Sequence, residues 1–182
     1  MKNRHSSREK LRRELIGRSN EALSKSKRAI FALHRDDPAA AESLLAQADK
    51  LFNEIEGKFK RFPDLIHEGA YRAALEEYAE ALLFFAYLKK GKLGEIDKRA
   101  MEPGIYLAGL SDTTGEIVRY AMRQVTNGDT KAVHKAQEVV AMVIESLLDM
   151  DLTGYLRTKF DQAKKNYRRL EEMVYDLSLR DR

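Results

Sequence analysis

The stretch "GLSDTTGEIVRY", residues 109–120, decides the fold class. At 100° per residue, Leu107, Leu110, Thr114, Ile117, Val118, Ala121 and Val125 fall on one side of a helix. Asp112, Glu116, Arg119 and Arg123 form a stripe opposite. Apolar residues at this spacing predict an amphipathic helix and exclude a strand, which would alternate with period two. Two acids four residues apart repel by a few tenths of a kcal/mol, and Arg119 and Arg123 can offset that through i+3 and i+7 contacts. One reading is therefore a salt-bridged stripe facing solvent. Gly115 points to another, because a helical glycine costs up to about 1 kcal/mol relative to Ala and admits close approach of a ligand or a second backbone.

Working outward, the same periodicity predicts six helices and no strand, an all-α fold in a single domain over residues 1–182. Leu11, Leu15, Ala22, Ala29 and Leu33 place a first helix from about Ser7 to His34. Asp37 caps a second, with Pro38 at the first helical position, where a missing N–H does no harm. "RFPDL" stops it. A third helix carries Tyr71, Leu75, Tyr78, Leu82 and Phe85 on one face and breaks at "KKGKLGE". The fourth runs from near Pro103 to "TNGD", the fifth from about Thr130 to Leu148, and the sixth from about Thr153 to Leu179.

Of the 182 residues, 43% are hydrophobic and 34% charged, enough for a real core and unlike a disordered tail. No apolar run approaches the roughly 18 residues of a membrane span, and the basic N-terminus is not followed by an apolar segment. A soluble, unsecreted, cytoplasmic protein without membrane partners is expected. Cysteine is absent, so disulfides and thiolate zinc sites are excluded, leaving carboxylates and four histidines as metal ligands. The net charge of +4 is uneven: residues 1–35 hold 11 Lys/Arg against 3 acids, and residues 153–182 hold 8 against 5, which leaves the middle at −7. Basic ends beside an acidic centre fit a polyanion-binding surface flanking a metal site, although charge alone favours two helices with solvated faces.

A second acidic site lies in "ALEEYAEALLFFAYL", where Glu77 and Glu80, three residues apart, flank the apolar stripe, while Glu76 points toward solvent. Aromatic and small neighbours suggest partial burial, where a carboxylate must be protonated, paired or metal-bound. An Arg partner satisfies this. So does Mg²⁺ or Mn²⁺, which takes a few carboxylates and completes its shell with water and phosphate oxygens. Glu77, Glu80 and Asp112 can form such a site if the third and fourth helices pack together. Glu-x-x-His pairs, a serine nucleophile elbow, a glycine-rich phosphate loop and a zinc helix motif are all missing. Tyr71, Tyr78, Phe84, Phe85 and Tyr87 could stack on bases, although aromatics at helical spacing more often build a core.

Four separated segments, "SKRAIFALHR" (26–35), "LEEYAEALLFFAYL" (75–88), "YLAGLSDTTGEIVRYAMRQVTNGD" (106–129) and "RRLEEMVYDLSLR" (168–180), resemble the translin family in the same order. The resemblance is stronger to its translin-associated factor X branch. It implies a compact seven-helix fold and a closed, octamer-like oligomeric barrel that encloses RNA or single-stranded DNA, as a homo-oligomer or with a translin-like partner chain. The factor X branch has acids where this chain has Glu77, Glu80 and Asp112, and translin-type sequences do not. Glu116 occurs in both branches and suits either the metal shell or pairing with an Arg. Lacking the acidic insertion and tail of animal factor X proteins, the chain resembles a compact prokaryotic or archaeal form.

The resemblance implies a metal-dependent endoribonuclease acting on single-stranded RNA. Glu77, Glu80 and Asp112, with Glu116 beside them, would hold Mg²⁺ (or Mn²⁺) that activates a water. Arg119 and Arg123 would meet non-bridging phosphate oxygens, and Arg12 and Arg13 of the basic first helix would guide the strand. The rival expectations are a non-catalytic shell that binds single-stranded RNA or DNA, and a plain helical scaffold that binds neither.

Overall fold

The computed structural model describes residues 2–94, 96 and 99–180. Every regular element among them is a helix: α1 (Lys2–His34), α2 (Pro38–Phe59), α3 (Pro63–Ile66), α4 (Gly69–Lys90), α5 (Pro103–Thr126), α6 (Lys131–Leu148) and α7 (Gly154–Arg180). This is the all-α fold that the periodicity predicts. The seventh helix is α3, a single turn where "RFPDL" reads as a stop. Pro63 sits in its first turn, but four residues are too few to register a helical period. The backbone divides into two compact units, Met1–Phe85 and Ala86–Arg182.

In the first unit α1 packs along α2. The buried face of α1 is lined by small residues, Ser19, Ala22, Ser26 and Ala29, all fully buried, and α2 buries Ala41 and Ala48. Small side chains on both helices let the two axes approach closely. The turn between them needs a left-handed residue, and Asp36 supplies it at φ 58°, a conformation that Asp tolerates better than most side chains. As the sequence predicts, Asp37 then caps α2, its Oδ1 accepting from the Ala40 N–H at 2.9 Å, with Pro38 opening the helix. Phe52 of α2 meets Tyr71 edge-on and Tyr78 at a tilt, with centroids 6.0 and 5.2 Å away. His34 lies 4.8 Å from Phe84. Phe52, Ile55, Phe59, Tyr78 and Phe84 are fully buried, each worth roughly 1.5–3 kcal/mol of transfer free energy. The apolar face of α4 is turned slightly from the expected one: Leu82 and Phe85 are only half-buried, whereas Leu83 and Phe84 are core.

The basic charge of α1 is tied down within this unit. Arg8 reaches Asp64 at 3.0 Å and Arg18 reaches Glu54 at 2.6 Å, while Glu14, an acid of α1, takes Lys58 of α2. Internal ion pairs thus account for part of the basic end.

The second unit packs α5, α6 and α7 against one another. On α6, Val133, Ala136, Val139, Val140, Val143 and Leu147 are buried at i, i+3, i+4 spacing. The buried face of α5 is broader than its apolar stripe and includes Ser111, Thr113 and Thr114. Their hydroxyls donate to the carbonyls of Leu107, Gly109 and Ser111 at 2.8, 2.7 and 2.6 Å, so their burial leaves these donors satisfied. Among the described residues no helix is long and apolar enough to cross a membrane.

Candidate functional site

Glu77 and Glu80 stand one turn apart on α4, in the first unit, and both are half-buried. Helical spacing puts their carboxylates on one face, and the fully buried Tyr78 and Phe84 anchor that helix. The Glu77 side chain is 19% exposed, and Lys27 Nζ on α1 comes within 3.8 Å of its Oε2. A lysine is thus one cation beside the Glu77 carboxylate. Glu76, expected toward solvent, is half-buried like its neighbours.

Asp112 and Glu116 lie one turn apart on α5, in the second unit. Neither belongs to a fully solvated stripe. The Asp112 side chain is 28% exposed, and Lys159 of α7 donates from Nζ to its Oδ2. Burial alone would push the Lys159 ammonium down, but hydrogen bonding to Asp112 and Tyr155 outweighs it and holds the group above the usual lysine range. The same Nζ sits 5.2 Å from the centre of the Tyr155 ring, one turn earlier on α7. Glu116 faces Arg119 at 3.7 Å, the pairing expected if it serves structure. At Gly115 an added Cβ would meet Asn166 Nδ2 of α7 at 3.4 Å, an ordinary van der Waals distance. Asn166 in turn donates to Thr114 Oγ1 at 2.8 Å.

Of the predicted phosphate-binding arginines, Arg119 has half of its side chain exposed, whereas Arg123 is half-buried. Arg12 is held by both carboxylate oxygens of Glu68, at 2.8 and 3.0 Å. That hydrogen-bonded pair pushes Glu68 below its usual range and Arg12 above its own. Arg13 is exposed, its Nε donating to the Glu9 carbonyl.

Among the described residues, no three carboxylate or imidazole side chains gather closely enough to hold a metal ion. The donors nevertheless suit a hard cation. Mg²⁺ is commonly held by one or two carboxylates and completes its octahedron with water and phosphate oxygens. Asp112 is held by the Lys159 ammonium.

Sequence reasoning missed Lys159 and Asn166. A signal exists: residues 159, 163, 166 and 170 share one face of α7, on which Ala163 and Leu170 are fully buried. A lysine and an asparagine on an apolar stripe mark a polar contact with another helix.

Fold and side chains together define an all-α protein whose helices carry paired, half-buried carboxylates flanked by cations. The sequence pattern of the Translin family matches residues 10–181, and the chain belongs to that family. Translin-associated protein X from Mus musculus and from Pongo abelii are each 24% identical to it over 208 residues, covering 91% of this chain and 72% of the relative. The structure of AfC3PO with duplex RNA superposes at a TM-score of 0.87 and 25% identity, covering 98% of this chain and 94% of that one. The crystal structure of apo-NeC3PO, at 24% identity and a TM-score of 0.86, covers 96% of this chain and 93% of that one and shares the fold.

Proposed function

We propose that this chain is a metal-dependent endoribonuclease that cuts single-stranded RNA and works as one domain over residues 1–182 within a cytoplasmic helical oligomer. The observation that carries the reading is the set of half-buried carboxylates at helical spacing, Glu77 with Glu80 and Asp112 with Glu116, each pair set beside a cation rather than spread in solvent. Family membership and the duplex-RNA complex of a structural relative support RNA as the ligand. Single-stranded DNA is a further ligand by the same phosphate chemistry.

Glu77, Glu80 and Asp112, with Glu116 in support, would hold Mg²⁺ or Mn²⁺, which supplies an activated water and neutralises charge developing on the phosphate. The protein's own residues orient the strand. Arg119, exposed beside Glu116, presents a planar fork of donors to non-bridging oxygens. Arg123 follows one turn later, and Arg13 extends the basic surface of α1. Arg12 gives two of its donors to Glu68 and offers phosphate the remaining ones.

Exposed apolar side chains in the second unit, Met142 at 53%, Leu148 at 61%, Tyr175 at 63% and Leu179 at 51%, support self-association into an octamer-like homo-oligomer or assembly with a translin-like partner chain. One observation favours the non-catalytic RNA- or DNA-binding shell as a second reading: Asp112 is closed by Lys159 and no third acid joins it among the described residues. Cleavage of a labelled single-stranded RNA with Mg²⁺, with EDTA, and with Mg²⁺ restored separates the two. The nuclease cuts only in the first and third conditions, and the shell binds in all three without cutting.

A further inference from the structure

We infer that Lys159 is a built-in competitor for the metal site: its ammonium holds the Asp112 carboxylate and must leave before a divalent cation can bind there. The inference rests on the reading of Asp112 as a metal ligand and goes beyond it by assigning a gate.

The pair joins residues 47 positions apart, on two helices packed within one unit. Both side chains are largely shielded, 21% exposed for Lys159 and 28% for Asp112, so leaving either without an opposite charge carries a desolvation cost. An ammonium and a divalent ion cannot share one carboxylate without strong repulsion across a few ångströms of poorly screened space. Occupancy by one therefore excludes the other.

Lysine carries its charge on a flexible four-carbon stem. The Tyr155 ring, 57% exposed, already lies 5.2 Å from Nζ while the ammonium is on Asp112, a second contact that the stem can keep as it swings toward solvent. From there the ammonium is free to bind a phosphate oxygen as a point charge. Metal entry and release of a phosphate-binding lysine become one event. The apparent metal affinity is reduced by the fraction of molecules in which Lys159 holds Asp112. If nine molecules in ten hold the pair, removing the lysine tightens metal binding about tenfold.

The test is Mn²⁺ binding to the full chain, followed by electron paramagnetic resonance, with no RNA present. Lys159→Met should bind Mn²⁺ about tenfold more tightly than wild type. Lys159→Arg should bind no more tightly than wild type. Lys165→Met removes the same charge from an exposed position of α7 and should stay within about twofold of wild type. Lys159→Gln keeps a donor for Asp112 without the charge and should repeat the gain if the Met variant fails to fold. In the unaltered protein, Mg²⁺ should raise acetylation of Lys159 by an amine-reactive ester several-fold, read by mass spectrometry. Equal gains in Lys159→Met and Lys165→Met would overturn the gate in favour of a general field effect. Mn²⁺ binding that Asp112→Asn abolishes but Lys159→Met leaves unchanged would overturn the gate alone. Absence of Mn²⁺ binding in wild type and every variant would overturn both the gate and the metal-site reading.

Discussion

Asp112→Asn separates a working ion pair from an ornamental one. The substitution keeps side-chain size and a hydrogen-bond acceptor but removes the charge opposite Lys159. Breaking a fully buried pair costs about 3–5 kcal/mol, because the surviving charge is left uncompensated. An exposed pair contributes about 0–1 kcal/mol. With exposures of 28% and 21%, this pair falls between those limits, and about 2 kcal/mol is expected. For a chain of this length each kcal/mol moves the Tm by about 2–4 °C, so the melt should fall by about 4–8 °C when followed by circular dichroism without metal. Adding Lys159→Met to Asp112→Asn restores neutrality, so the double variant should melt above the sum of the two single losses, with a coupling of about 1–2 kcal/mol. Asp112→Asn should also lose metal-dependent RNA cleavage. A melt unchanged within about 0.5 kcal/mol and strictly additive losses would refute the claim that burial makes this pair matter.

Glu77→Gln and Glu80→Gln should each reduce metal-dependent cleavage by at least about a hundredfold while leaving RNA binding within a few-fold of wild type. Glu138→Gln, on the exposed face of α6, is the control, and cleavage by either Gln variant at its rate would remove that carboxylate from the site. Arg119→Ala should weaken RNA binding and lower the slope of log K against log salt by about one; an unchanged slope would assign Arg119 to Glu116 alone. Alkaline stability should depend on Tyr87, whose phenol is pushed up to about 12 by burial and then by Tyr120, with ring centroids 6.3 Å apart. The unfolded chain releases this proton near pH 10, so stability is full below that pH and falls between about pH 10 and 12, by roughly 2–3 kcal/mol. Tyr87→Phe should remove most of that slope in urea titrations, and a slope identical to wild type would show that Tyr87 ionises freely in the fold.

Local signals were legible in the sequence because they are local in physics. A proline at the first turn, an aspartate before it and apolar residues every three or four positions act over one or two turns, and they place α2, α4, α5, α6 and α7 close to their observed bounds. Glu77 with Glu80 and Asp112 with Glu116 could be paired on paper for the same reason, since one helical turn fixes their neighbour. The one-turn α3 carries no period to read. Arg119 could be paired with Glu116 by the same one-turn spacing, but the partners on other helices were not legible: Lys27 and Lys159 are two among 33 lysines and arginines, and nothing within a turn of either lysine names its acid. Only the packing of α5 on α7 brings Lys159 to Asp112. There, low exposure turns two ordinary surface charges into a pair that each needs the other, because desolvation acts on the position of a charge in three dimensions and not on its place in the chain.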